Sequence, residues 1–495
     1  MTPADDLHPE QPSSAELSGL AGEPVANAWF SPSRAHAELG AAFYDPVRPA
    51  AFPKHILRYR NTGWAERVGL GELSDADWIR HFGRFEPLPG SLEEPLALRY
   101  HGHQFRSYNP QLGDGRGFLF AQLHDQGGRL LDLATKGSGQ TPWSRTADGR
   151  LTLKGGVREI LATELLETAG ADTSKSFSLI ETGEDLWRGD EPSPTRSSVL
   201  VRLSHSHIRI GTFQRFAYLN DTANLQKLLD YTILTYMPDL WRDEVSARAI
   251  AFLEEVCRRV ARLGAQYMTA GFVHGVLNTD NINVTGESFD YGPWRFTPNY
   301  DPGFTAAYFD ETGLYAFGRQ PDALAWNLVQ LGASLLPLAE QAALEESLVQ
   351  YGPTFHRELA ASLLHRLGVE VQDPTLAVEF PKLWFSFLLE SKVPFEASVF
   401  DWRGGAERAD KALNGPRASF YAAPSFSSVL EAMNSFKPAP DANLDHPYFA
   451  EAEPCTMLID EVEAIWAPIA EADDWTRFRD KLDQIASMRE AYGIG

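Results

Sequence analysis

The chain is poor in cysteine and in basic residues, and it has no long apolar run. Its two cysteines, Cys257 and Cys455, are too few for a disulfide framework or a four-thiolate zinc site, although a single bridge between them stays open. No stretch of about eighteen apolar residues occurs, so we expect no membrane span. Residues 1–19 have no apolar segment of the secretory type and no Lys or Arg, which argues against a targeting peptide. We therefore expect a cytoplasmic protein.

Acidic residues are in clear excess. The 67 Asp and Glu residues against 44 Lys and Arg give a formal net charge of −23. Because the averaged field of such a chain repels phosphate backbones and anionic lipid surfaces, we expect neither a nucleic-acid partner nor a membrane partner. A nucleotide site would have to be a local cluster of basic residues that stands against this background.

The hydrophobic content of 43% is enough for one large core or two moderate ones. The residue pattern divides the chain into five segments. We predict a disordered tail over 1–35, an N-terminal extension over 36–97 that packs on the next segment, a small nucleotide-binding α/β lobe over 98–223, a helical lobe with the catalytic and metal-binding loops over 224–380, and a divergent, mainly helical C-terminal region over 381–495.

Several local patterns predict individual elements. FLFAQL, LLDLATK, FSLIE and VLVRL are typical of strands, and VREILATELLETAG has the apolar spacing of a helix. Apolar residues at helical spacing from Ile250 to Leu263 predict a helix that Gly271 ends. Residues 272–308 are rich in Gly, Asn, Asp and Pro, so we predict active-site loops that are too polar to be core. A Pro-, Ser- and Asn-rich interruption over 422–446 predicts a linker or a surface loop.

The first candidate for a site is the glycine cluster Gly113–Gly117, which stands just before FLFAQL. Glycines let backbone amides approach a phosphate with no Cβ in the way. A glycine cluster between two strands is more often a hairpin turn, so on its own this segment leaves both interpretations open.

A lysine and a glutamate follow at informative positions. Lys136 closes the strand LLDLATK, and a lysine on a buried strand needs an anionic partner. Glu159, in the helix VREILATELLETAG, is the candidate. The order of glycine loop, strand lysine and helix glutamate matches the small lobe of a protein kinase, whereas either residue taken singly is more simply a surface side chain.

The most informative stretch is HGVLNTDN, residues 274–281, with Asp290 of DYG nine residues further on. Protein kinases have H-R-D-x-x-x-x-N followed by D-F-G, so Asn281 and Asp290 take the places of the metal ligands. Amide and carboxylate oxygens suit Mg²⁺ or Mn²⁺ that also contacts nucleotide phosphates. Val276 stands where a kinase has its catalytic Asp. Either the protein is inactive or another residue is the base, and Asp280 is the nearest carboxylate.

Two arginines and two histidine pairs complete the candidates. Arg202 and Arg209 lie in VLVRLSHSHIRIGTFQRF, where they could bind phosphate oxygens or be structural. The pairs His205/His207 and His101/His103 lack a nearby third metal ligand, so we interpret them as structural.

Together these stretches closely resemble the selenoprotein O family, kinase-like proteins described as protein adenylyltransferases. The shared sequence segments are LRYHGHQF, NPQLGDGRG, TKGSGQTPWSRTADGR, VREILATE, SHSHIRIGTFQRF, HGVLNTDN, DYGP and RQPDALAWNL. They span roughly residues 98–328. The resemblance implies an α+β, protein-kinase-like bilobal fold, with a small β-rich lobe, a larger helical lobe and extensions at both ends.

The resemblance also implies an activity and roles for residues. ATP would bind inverted relative to protein kinases, and AMP would pass to Ser, Thr or Tyr hydroxyls of protein substrates with Mg²⁺ or Mn²⁺ present and pyrophosphate released. Asp280 would be the base, Asn281 and Asp290 the metal ligands, and Glu159 the partner of Lys136. The implied nucleotide contacts are Gly113, Gly115, Arg116, Lys136, Asp148, Gly149, Arg202, Arg209 and Asp290.

The C-terminal part departs from the family as we know it. The chain ends without the selenocysteine or cysteine that family members often carry, and the region after about Phe400 is unlike the usual ending, so redox control does not carry over. Two alternatives stay open: uridylyl transfer from UTP with Mn²⁺, and an inactive pseudokinase scaffold, which Val276 favours. We expect a monomer.

Overall fold

The computed structural model describes residues 29–189 and 191–494, which form a mixed α/β protein with one large antiparallel sheet. The strands are β1 (Ser31–Ser33), β2 (Tyr44–Pro46), β3 (Ile56–Arg60), β4 (Leu96–Leu98), β5 (Gly102–Gln104), β6 (Ser107–Asn109), β7 (Leu119–His124), β8 (Leu130–Lys136), β9 (Leu151–Thr152), β10 (Lys175–Leu186), β11 (Thr195–Ser204), β12 (Phe272–Val273), β13 (Arg295–Phe296), β14 (Val369–Glu370) and β15 (Lys437–Pro438).

Helices dominate the chain after the last long strand. The helices are α1 (Thr62–Arg67), α2 (Asp75–Phe82), α3 (Leu153–Thr168), α4 (Ile210–Tyr218), α5 (Thr222–Tyr236), α6 (Val245–Ala270), α7 (Gln320–Leu335), α8 (Gln341–Val349), α9 (Tyr351–Leu367), α10 (Pro374–Ser391), α11 (Phe395–Trp402), α12 (Ala409–Asn414), α13 (Phe426–Met433), α14 (Ile459–Ala472) and α15 (Thr476–Tyr492). Within the described ranges, none of these helices has both the length and the apolarity needed to cross a membrane.

The large sheet places two of the candidate cations side by side. Its strand order is β2-β4-β7-β8-β11-β10-β3, with β1 added to β7 and β9 added to β11. Lys136 in β8 lies opposite Leu200 in β11, and Ala134 lies opposite Arg202. Because side chains on a strand alternate between the two faces, Lys136 and Arg202 share one face of the central strands.

Each face of the sheet has its own apolar core. On one face, α1 and α2 pack their tryptophans and phenylalanines against alternate residues of the strands, such as Val199 and Val201. On the other face, Leu200 packs with α3 and belongs to a large core that continues through α6 into the C-terminal helices. The N-terminal extension therefore takes part in the fold, because it supplies strands and covers a sheet face.

Most local predictions are confirmed. The four predicted strands are β7, β8, β10 and β11, and the predicted helices are α3 and α6. Gly271 ends α6 with a φ of +64°, in the left-handed region where glycine has no steric penalty. The antiparallel sheet and the helices that follow it fit the expected α+β class.

Three expectations need correction. Residues 272–308 are largely buried despite their polarity, since Thr279, Asn283 and Ser288 are each at most 1% exposed. The interruption over 422–446 is not a simple surface loop, because it contains α13, whose Val429 is fully buried. Residues 1–28 of the predicted disordered tail lie outside the described residues, but β1 pairs with β7, so such a tail ends before residue 31.

Candidate active site

A cavity of about 310 Å³ brings most of the candidate residues together. Its lining includes five cationic side chains and three carboxylates. The cations are Arg116, Lys136, Arg145, Arg202 and Arg209, and the carboxylates are Asp114, Asp280 and Asp290. In a chain of net charge −23, this local excess of positive charge is the kind of basic cluster that an anionic nucleotide needs.

The glycine cluster forms one wall of this cavity. A Cβ at Gly113 would lie 2.4 Å from Cγ of Trp143, and one at Gly117 would lie 2.0 Å from the Thr135 carbonyl oxygen. The strands on either side of the cluster do not pair with each other, since β6 pairs with β5 and β7 pairs with β8. The hairpin-turn interpretation is therefore wrong. Glycines are needed here because the Trp143 side chain and the Thr135 backbone lie too close for a Cβ at Gly113 or Gly117.

Lys136 is at the centre of a buried ionic network. Its Nζ lies 2.5 Å from Oε2 of Glu159 and 3.0 Å from Oδ1 of Asp290. Nη1 of Arg202 lies 3.2 Å from the same Asp290 oxygen and 3.5 Å from Oε1 of Glu159. Because buried charges are costly unless they are compensated, the two cations and two carboxylates stabilise one another.

Asp290 is held in an ionised and strained state. Burial alone would raise the pKa of this carboxyl, but Lys136 and then Arg202 lower it, and the pKa lies well below its usual range. Its φ is +63°, which residues with a Cβ rarely adopt. Backbone strain of this kind costs about 1–3 kcal/mol and concentrates at functional sites.

Asp280 is the most distinctive carboxyl in the cavity. It is 7% exposed, and burial raises its pKa to about 6 even though Arg209 opposes that shift. Its Oδ1 is buried and accepts no hydrogen bond from any of the described residues. A carboxylate with a raised pKa and an uncommitted oxygen fits a group that accepts a proton from a ligand.

Arg209 connects the segment that contains Asp280 to the glycine-rich wall. Its Nη1 donates to the Asp280 carbonyl oxygen at 3.2 Å, and its Nη2 lies 3.2 Å from Oδ1 of Asp114. The guanidinium also lies 4.1 Å from the centre of the Tyr100 ring. These contacts fix a buried cation beside Asp280.

Asn281 lies in the short helical turn Thr279–Asn281 next to the cavity, although it is not part of the lining. Its amide nitrogen donates to the Val276 carbonyl at 3.0 Å, which leaves the amide oxygen as its acceptor. Within the described residues, no group of three or more His, Cys, Asp or Glu side chains is arranged to hold a metal. Mg²⁺ usually binds one or two carboxylates together with substrate phosphates, so the amide oxygen of Asn281 and the carboxylate of Asp290 are of the type that fits such an ion.

Two predicted nucleotide contacts, Asp148 and Gly149, are not among the residues that line the cavity. The Asp148 carboxylate pairs with Arg188 at 2.8 Å and lines a separate depression. Gly149 has a φ of +70°, and a Cβ there would lie 2.3 Å from the Gly139 carbonyl carbon. The glycine is thus explained by its backbone conformation and its close packing.

Sequence reasoning missed several lining residues. Tyr100, Gln104, Trp143 and Arg145 line the cavity but carry no motif of their own. These residues could have been found because they lie in the segments LRYHGHQF and TKGSGQTPWSRTADGR, which are next to the glycine cluster and Lys136 in the sequence.

His101 and His207 each contact a neighbouring side chain, and both cysteines are buried. His101 contacts the Tyr108 hydroxyl at 2.8 Å, and His207 contacts Asp132 at 3.3 Å. Cys257 and Cys455 are both free and buried, so the single bridge left open by the sequence is not formed. Burial raises the pKa of each thiol to about 12, which keeps it protonated and unreactive.

Comparison with known proteins shows the family. The family model described as "Protein adenylyltransferase SelO" matches residues 25–486, which includes the region after Phe400 that we expected to depart from the family. A protein nucleotidyltransferase YdiU of Synechocystis is 42% identical over 94% of this chain and 99% of its own length. The YdiU proteins of Gloeobacter violaceus (42% identical, 93% of this chain, 95% of its own length) and Vibrio cholerae (37%, 77% and 78%) are also similar. The chain is therefore a nucleotidyltransferase that belongs to the SelO family of protein adenylyltransferases.

Proposed function

We propose that this enzyme transfers AMP from ATP to Ser, Thr or Tyr hydroxyls of protein substrates and releases pyrophosphate. The observation that carries the proposal is Asp280, a buried carboxyl with a pKa of about 6 and one uncommitted oxygen, in a cavity lined by five cationic side chains. The family description supports AMP as the transferred group, and the names of the relatives support protein as the acceptor.

We interpret the fold around this site as kinase-like. The glycine wall, Lys136 on β8, Glu159 on α3, Asn281 and Asp290 follow one another in the order of the corresponding kinase parts. Val276 takes the place of the kinase base and has no proton acceptor on its side chain. The loss of that base argues against ordinary transfer of the γ-phosphoryl group.

In the proposed reaction the acceptor hydroxyl lies between Asp280 and the α-phosphorus of ATP. The hydroxyl oxygen attacks phosphorus, a new P–O bond forms, and the bond to the bridging oxygen of pyrophosphate breaks. Asp280 accepts the hydroxyl proton, and the leaving pyrophosphate takes the electron pair of the broken bond. A carboxyl of pKa about 6 is mostly ionised at neutral pH, so it is ready to act as this base.

The cations would stabilise the polyphosphate. Lys136, Arg202 and Arg209 are buried and are balanced by Glu159, Asp290 and Asp114 before a nucleotide binds. Arginine forks match phosphate oxygens and keep their charge at any working pH. Transfer of this kind depends on position and charge more than on covalent help from the protein.

A divalent cation fits the proposal through Asn281 and Asp290. When bound, Mg²⁺ or Mn²⁺ would be held by Asn281 and Asp290 and would neutralise part of the phosphate charge. The chain's own part is to hold the Asn281 amide by its hydrogen bond to Val276 and to keep Asp290 ionised beside Lys136 and Arg202.

ATP labelled at either the α- or the γ-phosphate tests the proposal. The enzyme is incubated with a mixture of cell proteins and each label, and Asp280→Asn serves as the inactive control. We expect label on protein only from the α position. Label from the γ position alone would replace the proposal with a protein kinase, and stronger labelling from α-labelled UTP in competition would replace it with uridylyl transfer.

Thermal stabilisation separates an enzyme from a scaffold. We expect ATP with Mg²⁺ or Mn²⁺ to raise the melting temperature of the parent. In Asp290→Ala, ATP with metal should raise the melting temperature no more than ATP without metal. Stabilisation of the parent with no release of pyrophosphate, across many protein substrates, would favour the pseudokinase scaffold.

A further inference from the structure

A small hairpin stands directly against the proposed base. Strands β5 and β6 pair antiparallel and are joined by the two residues Phe105 and Arg106. The backbone NH of His103 donates to Thr279 Oγ1 at 2.7 Å, and that of Phe105 donates to Asn278 Oδ1 at 3.0 Å. A Cβ at Gly102 would lie 3.2 Å from Oδ1 of Asp280, so the hairpin touches the segment that carries the base.

The tip of this hairpin has an unfavourable conformation for its residues. Phe105 and Arg106 have φ angles of +49° and +63°. A two-residue turn with both φ angles positive normally contains Asn and Gly, because a Cβ is sterically disfavoured in the left-handed region. A bulky aromatic and an arginine are therefore kept at this tip at the expense of stability, which indicates a use for their side chains.

An exposed aromatic surface extends from Phe105 at that tip to Phe309 and Tyr308. Phe105 is 37% exposed, Phe309 is 47% exposed and Tyr308 is 83% exposed. The ring of Phe105 lies 5.9 Å from that of Phe309, which lies 5.2 Å from that of Tyr308. We call Phe105, Arg106, Tyr308 and Phe309 the rim patch. It begins one residue from Gln104, which lines the cavity together with Asp280.

Arg106 adds a positive charge to this apolar surface. Its guanidinium lies 5.5 Å from the centre of the Trp326 ring, and no carboxylate of the described residues forms an ion pair with it. In a chain of net charge −23, an exposed arginine without a carboxylate partner favours an acidic group on whatever binds there.

We propose that the rim patch docks the polypeptide segment that carries the acceptor hydroxyl. The inference rests on the proposed function, since the acceptor hydroxyl must reach Asp280 while the residues next to it lie over the adjoining surface. The segment would place an apolar side chain against Phe105 and Phe309 and a carboxylate near Arg106. Exposed aromatics and arginine are the residue types that most often dominate such contacts.

An array of immobilised peptides, each with a central Ser, Thr or Tyr and varied neighbours, tests the proposal. Two readouts are taken on the same array: binding of the enzyme with a non-hydrolysable ATP analogue, and transfer of label from α-labelled ATP. We expect both to favour peptides with an apolar and an acidic neighbour. Phe309→Ala with Tyr308→Ala should weaken binding of those peptides about tenfold, and Arg106→Gln should remove the preference for acidic neighbours.

Leu234→Ala, an exposed apolar side chain on α5, is the matched control and should keep the preference of the parent. Equal selectivity in the parent and the rim variants, or no selectivity in the parent, would overturn the docking surface. Selective binding without transfer would overturn the proposed function while the docking surface stands. A parent dimer that Phe309→Ala converts to monomer would instead assign the patch to a second copy of the chain.

Discussion

At the scale of single residues, two of the three aspartates of the cavity, Asp280 and Asp290, have opposite electrostatic environments. Lys136 and Arg202 hold the pKa of Asp290 well below its usual range, whereas burial raises the pKa of Asp280 to about 6. Two carboxyls whose pKa values are driven apart are suited to different tasks. Asp290 is suited to a permanent negative charge, and Asp280 is suited to proton transfer.

Replacement of Asp280 tests whether the two aspartates have these different roles. Asp280→Asn keeps the size of the side chain but cannot accept the hydroxyl proton, so we expect the rate of transfer to fall about 10²- to 10⁴-fold. The affinity for ATP should change little, because the phosphates are bound by other groups. Single-turnover transfer and nucleotide titration measure the two quantities. A variant that loses ATP binding and transfer together would mean that Asp280 positions the nucleotide.

Glu287 gives a prediction about pH. Burial raises its pKa from 4.5 to about 7, and it accepts a hydrogen bond from the backbone NH of His205 at 2.8 Å. The folded protein therefore binds more protons than the unfolded chain between these two pH values, and stability falls as pH rises through that window. Glu287→Gln keeps the hydrogen bond and cannot ionise.

We expect Glu287→Gln to raise the free energy of unfolding by about 1 to 3 kcal/mol at about pH 8, and by much less at about pH 5. Urea denaturation at both pH values measures the difference. The exposed Glu346→Gln on α8 is the control and should have no effect. Equal stabilisation of the Glu287 variant at both pH values would contradict the argument.

Residue types determined which parts of the site the sequence could predict. Lys136, Glu159, Arg202, Arg209, Asp280 and Asp290 have chemistry that a motif can reveal, and the structure brings them together. Trp143 and Tyr100 act as packing surfaces for the glycine wall and for Arg209, and nothing in their local sequence indicates that role. Asp148 has the residue type that the family has at a nucleotide contact. Its carboxylate nevertheless pairs with Arg188 and does not line the cavity.

At the scale of elements, helix α3 is held from behind by the C-terminal helix α15. Nη2 of Arg489 lies 2.8 Å from Oε2 of Glu164 and 3.0 Å from Oε2 of Glu167. Its Nε also donates to Thr168 Oγ1 at 3.3 Å. Because α3 also carries Glu159, this contact helps to fix the helix that supplies one carboxylate of the ionic network.

Arg489→Gln should therefore affect the active site at a distance. We expect a loss of about 1–3 kcal/mol in stability, because two carboxylates on α3 lose a largely buried cation. Hydrogen exchange of the α3 amides should become faster, and transfer should slow. The exposed Arg479→Gln on the same helix is the control. Unchanged exchange in α3 would show that α15 does not hold it.

Elements with local signals were predicted and those that depend on distant contacts were not. Gly271 and the β-rich runs act within a few residues, so their pattern is sufficient. The burial of residues 272–308 comes from partners far along the chain, such as Gln214, which accepts a hydrogen bond from Thr279 at 2.7 Å. The apolar residues of α13 were concealed by the Pro and Ser around them.

At the scale of the whole molecule, net charge is the dominant property. A formal charge of −23 means that like charges repel across the surface, and this repulsion destabilises the compact state. The five cations of the cavity are a small positive area within that field.

We expect the melting temperature to rise as NaCl increases from about 20 to about 300 mM, because salt screens repulsion between exposed charges beyond about 10 Å. Choline chloride at equal ionic strength should have the same effect, because screening depends on ionic strength and not on a particular ion. A falling melting temperature would show that the surface ion pairs matter more than the net charge.

The pairing of distant segments has a consequence for synthesis on the ribosome. Strand β3 pairs with β10, which is made more than a hundred residues later, and Arg489 reaches α3 across 325 residues. Contacts so far apart form slowly and only when both partners have been made. The nascent chain therefore has Lys136 and Asp280 before the scaffold that fixes them is complete. We therefore expect a nascent chain that still lacks α15 to have an active site that is not yet fixed in position.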